Sequence, residues 1–154
     1  PVRLFVMGAN VWRDEDDWPL PGTEYVDYLH VSSSAPDTDF TAKLVDVAPD
    51  GRAENLADGI LRARYRESLS EPSLLEPGRV YQVSVDLVAT AVLFAAGHRI
   101  RLEISSSNFP RFDRNTNTGG VIAAEGEADL RQAVNRVHHT RALPSRLMLP
   151  VIRR

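Results

Sequence analysis

Apolar and polar residues alternate with a period of two along much of this chain. In "DFTAKLVDV", Phe40, Ala42 and Leu44 alternate with Thr41 and Lys43, and "APDGR" follows as a turn built on Pro49, Asp50 and Gly51. "GILRARYRES" sets Leu61, Ala63 and Tyr65 on one face, with Arg62, Arg64 and Arg66 on the other, facing solvent. A helix would scatter those arginines around its cylinder. "GRVYQVSVDL" turns Tyr81, Val83, Val85 and Leu87 one way, and "HRIRLEIS" turns Ile100, Leu102 and Ile104 inward with Arg99, Arg101 and Glu103 outward. "SRLMLPVI" reads as an edge strand or strand end because it carries Pro150. The opening "PVRLFVMGANVW" reads as a strand that begins within a larger protein. Only "DLVATAVLFAAGH" resists the pattern, and it is consistent with either a helical turn or a buried crossover. Short strands punctuated by loops such as "SEPSLLEPG" and "NFPRFDRNTNTGG" predict an all-β sandwich or barrel with little helix.

The 154 residues are enough for one domain with one core, and 43% hydrophobic with 25% charged residues is a globular composition. A net charge of -3 leaves no footprint for nucleic acid or an anionic membrane. No apolar run approaches the roughly 18 residues of a membrane span. The first residues lack a small-residue cleavage site, so no signal peptide is expected; the compartment stays open, with a cytoplasmic setting slightly favoured. There is no cysteine, which excludes disulfides, thiolate metal sites and a cysteine nucleophile. Lys43 is the one lysine, a bias of composition rather than a binding signal.

Candidate chemistry is sparse. A serine nucleophile on a strand-to-helix elbow needs flanking glycines, and no glycine stands two residues before a serine. Ser105, Ser106 and Ser107 end a strand, where alternate side chains point to opposite faces. His138 and His139 would diverge for the same reason, and His98 follows Gly97 at a turn. Asp14, Glu15, Asp16 and Asp17 lack the spacing and central glycine of a calcium loop, so a solvated acidic turn paired with arginines is expected. No metal and no cofactor is expected. Trp12 and Trp18 flank that acidic stretch beside Pro19 and Pro21, a composition suited to docking on a neighbouring surface or to stacking on a sugar ring.

Longer phrases carry a resemblance. "VMGANVWRDEDDWPLP", "SSSAPDTDFTAKLVDVAPDGRAENLADGILRARYRES", "PGRVYQVSVDL" and "AGHRIRLEISSSNFPRFDRNTNTG" resemble the C-terminal region of the cocaine esterase and X-Pro dipeptidyl-peptidase family, which includes glutaryl acylases and α-amino acid ester hydrolases. The resemblance implies a jelly-roll β-sandwich similar to galactose-binding domains, attached in the parent to an α/β-hydrolase domain that holds the serine, aspartate and histidine of the triad. No position here matches those three residues. Residues 1–22 then resemble the exit from the hydrolase domain, and 23–154 the sandwich. Family members carry a further stretch between "GTEYVDYLH" and "VSSSAPDTDF", whereas here His30 runs directly into Val31, so a missing segment is expected at that junction.

The implied role is to pack on the hydrolase domain of the same parent and to shape its substrate cleft, with a homodimer as a further option. Trp12, Trp18, Phe109, Arg111, Phe112, Arg114 and Asn115 are the candidate contact residues. An exposed apolar patch is expected near the two tryptophans. The alternative is an autonomous carbohydrate-binding sandwich, and an independent enzyme with an unrecognised site ranks below both.

Overall fold

The computed structural model describes residues 2–16 and 28–149, and within them the chain is all-β. A hairpin of β1 (Val2–Val6) and β2 (Val11–Glu15) comes first. Two antiparallel three-stranded sheets follow. One has the order β6-β3-β8, from β3 (Leu29–Ser33), β6 (Tyr81–Val83) and β8 (Asn135–His138). The other has the order β5-β4-β7, from β4 (Asp39–Val47), β5 (Ala53–Arg62) and β7 (Arg99–Ser105). Helical structure among the described residues is confined to three short 3-10 turns.

Both sheets contribute to one core, which makes the pair a β-sandwich. Leu29 and Val31 come from β3, Phe40, Ala42 and Leu44 from β4, and Val83 from β6, with Leu61, Leu102 and Ile104 packed against them. The expected inward faces of β4 and β6 are therefore correct. Thr41, expected outward, is buried because β4 is the central strand; its hydroxyl shares a 2.8 Å hydrogen bond with the Ser105 hydroxyl on β7. Ile100, expected inward, is exposed near the start of β7, where the sheet runs beyond the core.

The expected turn closes β4 onto β5. Gly51 takes a φ of 89°, and Asp50 Oδ1 accepts the Arg52 amide. A bulge interrupts the pairing, because Leu44 pairs with Ala57 but Val45 pairs with Asn55, which leaves Leu56 unmatched. The segment that resisted the periodic reading is neither helix nor regular strand. It leaves β6 as extended chain and crosses β5 at Gly59, where a Cβ would stand 1.8 Å from the Asp86 carbonyl oxygen. Only glycine admits that approach. Further on, Met7 accepts the Leu93 amide and donates its own to Ala91, which docks the hairpin.

Three readings need correction. The "RAR" stretch is not a solvent-facing strand: β5 ends at Arg62, Ala63–Tyr65 forms a 3-10 turn, and the three arginines turn into the protein. Buried carboxylates and carbonyls hold them, as described below. Of the acidic stretch, Asp14 and Glu15 lie in β2 rather than in a turn, with Arg3 opposite Asp14 and paired with it as expected, and Asp17 lies outside the described residues. "SRLMLPVI" forms no strand in its described part; Arg146 makes one isolated bridge to Tyr28, and Pro150 lies outside the described residues. The third strand of its sheet is instead β8, whose "NRVH" offers a single apolar residue and hence no legible alternation. At the junction between His30 and Val31, β3 continues without interruption, paired to β6 and β8 across both residues.

Candidate functional site

The loop after β7 is held by a buried charged cluster. Asp37 and Asp39 are 0% and 1% exposed, so both carboxylates depend on internal partners. Asp39 lies opposite Arg62 in the β4–β5 register and accepts its Nε and Nη2 at 3.1 and 3.2 Å. Asp37 accepts the Arg64 amide at 3.0 Å and its Nε at 2.8 Å. Asn115 joins the two, its Nδ2 donating to Asp37 at 2.9 Å and to Asp39 at 2.7 Å. Burial alone would lower the Arg62 pKa, but the hydrogen bonds to Asp39 and Asp113 outweigh it and raise the pKa above its ordinary value. Arg64 also donates Nη1 to the Gly120 carbonyl at 2.8 Å. Arg66 donates to the Ser73 hydroxyl and lies over the Tyr81 ring.

The rest of the loop is tied at further points. Asn115 Oδ1 accepts the Asn117 amide, a turn that lets Asn117 adopt its φ of 62°. Asn117 in turn donates to the Arg131 carbonyl. Thr116 and Thr118 both donate to Glu125, and these bonds hold its pKa below glutamate's ordinary value.

On this base stands an exposed tip. Phe109 is 58% exposed, follows Asn108 and Ser107 from the end of β7, and has the Arg114 guanidinium 4.7 Å above its ring. Arg111 pairs with Asp58 at 2.9 Å and lies over the half-buried Phe112 ring. Asn108 donates to the same Asp58 at 2.9 Å. The structure thus brings Phe109, Arg111, Phe112 and Arg114 together, but Asn115 lies beneath them as a buried tie rather than a surface contact. Trp12 is elsewhere, on the hairpin, 61% exposed, with Phe5 packed 5.3 Å away and Arg3 over its ring. With Phe5, Val11 and Leu93 also exposed, the hairpin region carries an apolar surface. Trp18 lies outside the described residues.

Nothing among these residues forms a hydrolytic centre. Ser105 donates to the Ser107 carbonyl, and Ser107 accepts the Phe109 amide, so both cap the loop. His98 is held by Asp46 at 2.8 Å, beside the turn that precedes β7. Ser32 and His138 share a 3.0 Å hydrogen bond, but Ser32 is buried in mid-strand, where no substrate reaches it. The described residues present no group of three or more histidine and carboxylate side chains able to hold a metal.

In this β-sandwich the polar cluster braces a loop, and the serines and histidines described above serve as ties. Residues 28–148 match the X-Pro dipeptidyl-peptidase C-terminal non-catalytic domain family, and the chain belongs to that family. It is 38% identical to the cocaine esterase of Rhodococcus sp. (strain MB1 Bresler), with 99% of this chain aligned to 42% of that protein. Among solved structures, it is similar to an aminopeptidase from a marine sediment Thaumarchaeota archaeon, with a TM-score of 0.73 at 32% identity over 77% of this chain and 21% of that one. It is also similar to an α-amino acid ester hydrolase, with a TM-score of 0.67 at 31% identity over 78% and 22%. The chain therefore spans less than half of the esterase and about a fifth of each solved chain.

The Glu125 ties predict a sign for the pH dependence of stability. A carboxylate whose pKa is lowered in the folded state contributes stability above its unfolded pKa and loses it as pH falls through the folded value. Unfolding free energy measured in urea should therefore fall as pH drops below about 4.5, glutamate's ordinary value, and Glu125→Gln should flatten that segment of the curve. An unchanged slope in Glu125→Gln would show that the two threonine bonds contribute nothing.

Proposed function

We propose that this chain packs on an α/β-hydrolase catalytic domain of the same protein and borders its substrate cleft, in an enzyme that cleaves ester or amide bonds. The observation that carries this reading is the match to a non-catalytic family over residues 28–148, by a chain that covers only 42% of an esterase relative. Two features supply contact surface: the hairpin face with Phe5 and Trp12, and the loop tip with Phe109, Arg111, Phe112 and Arg114. Large aromatics and arginines are the side chains that dominate such contacts. A loop fixed from beneath by buried ion pairs meets a partner without first losing much conformational freedom. Without that partner, the exposed hairpin face favours self-association, and a homodimer is the simplest closed form. The carbohydrate-binding alternative draws on Trp12 and Trp18; the Trp12 ring is already engaged by Phe5 and Arg3, and Trp18 lies outside the described residues.

In the full protein, Trp12→Asp and Phe109→Asp should loosen the two domains. Thermal unfolding should split into separate transitions and KM should rise, while the chain alone should turn over no p-nitrophenyl ester. A single unshifted transition with an unchanged KM would exclude both surfaces, and turnover by the purified chain that disappears when one of its own serines is replaced would overturn the non-catalytic role.

Residues 1–22 serve in this reading as the exit from the catalytic domain, and 23–154 as the sandwich with a segment missing between His30 and Val31. The esterase alignment spans 240 residues against the 154 of this chain, so that relative carries residues with no counterpart here. Peptide mapping of the protein from its natural source decides the matter. A tryptic peptide that reads Leu29, His30, Val31 without interruption would refute the missing segment, whereas additional residues between His30 and Val31 are the expected result.

A further inference from the structure

The charge of this chain is divided unevenly along its length. Beyond Asp129 there is no further aspartate or glutamate, but there are Arg131, Arg136, Arg141, Arg146, Arg153 and Arg154. With 18 basic and 21 acidic side chains in all, the first 129 residues carry nine more acids than bases, and the remainder carries six arginines and no acid. Such asymmetry points to a contact with an anionic partner, with nucleic acid and membranes among those to be weighed.

The structure arranges part of this stretch on one face. Val137 pairs with the buried Val31, so Arg136 and His138 lie on the opposite face of β8, where His138 is tied to the buried Ser32 and Arg136 stays exposed. Arg136 is exposed on β8, the last strand of its sheet, and Arg141 is exposed on the chain that follows. The arginines of the earlier chain are largely engaged with carboxylates, yet no ion pair among the described residues uses an arginine beyond Asp129. Arg131 donates only to backbone carbonyls, and Arg146 lies over the Tyr28 ring.

We infer that the outer face of β8 and the chain through Arg146 form a docking surface for a carboxylate-rich segment of a protein. The guanidinium fork matches a carboxylate in two parallel hydrogen bonds. Exposed Val134 lies two residues before Arg136, and arginine beside an apolar side chain is a composition found in protein interfaces. A nucleic acid fits less well: residues 130–149 contain no phenylalanine, tyrosine or tryptophan on which a base could stack. This inference does not rest on the hydrolase reading.

Titration of the chain with fluorescently labelled poly-L-glutamate, followed by anisotropy, provides the test. Binding should weaken about tenfold in the double variant Arg136→Gln, Arg141→Gln, the loss expected from two exposed charge contacts, and should fall further as salt screens the charges. Both positions are exposed, so the fold should survive; Arg52→Gln, on the β4–β5 turn, serves as a control that should bind like the unaltered chain. Equal binding by the double variant would overturn the inference. So would tighter binding of duplex DNA or of phosphatidylserine vesicles than of poly-L-glutamate.

Discussion

Two carboxylates buried at the start of β4 set the terms for the rest of the structure. Removing a charge from water costs several kcal/mol even after the protein relaxes, so Asp37 and Asp39 are tolerable only where cations and donors surround them. Both are supplied by spacing. Asp37 and Asp39 stand two residues apart, as do Arg62 and Arg64, and the antiparallel register brings Asp39 opposite Arg62. Thr38, between the acids, accepts the Ala63 amide on its carbonyl and the Asn135 side chain on its hydroxyl. Asn115 then closes the arrangement from a distant loop. One cluster thereby joins the end of β5, the start of β8 and the long loop after β7.

Under the proposed role, that tie bears on how the loop tip would meet a partner. A loop presenting Phe109, Arg111 and Arg114 on a flexible base would lose its freedom on meeting a partner, at a cost to affinity. Here the base is fixed by the same ion pairs that hold the sandwich. The hairpin is secured independently, by two backbone hydrogen bonds at Met7 and by the close seat of Gly8 on the Leu93 carbonyl.

Much of this was legible in the chain. "DFTAKLVDV", "YQV" and "HRIRLEIS" have the alternation of strands flanking a core, and each is a strand. The family phrases likewise pointed to a non-catalytic sandwich. The failures share a cause: local pattern does not report distant partners. Arg62, Arg64 and Arg66 alternate with apolar residues and so resemble a solvent face, because the acids that bury two of them lie more than twenty residues earlier. Asn115 sits in a polar loop and resembles a surface residue, yet it bridges two buried carboxylates. The four residues of β8 carry one apolar side chain, and only pairing with β3 makes them a strand. The paired spacing of "DTD" and "RAR" was the one available signal, and it becomes meaningful once the two are placed in register.

A double-mutant cycle on Asp37 and Arg64, read by urea unfolding, tests the central role of the cluster most directly. Asp37→Asn and Arg64→Met should each destabilise the chain by about 3–5 kcal/mol, since each leaves a buried partner without its counter-charge. The double variant should cost less than the sum, with a coupling of roughly 1–3 kcal/mol. Single losses below about 1 kcal/mol that simply add would contradict the account, because the loop and the strands would then be held by something other than these charges.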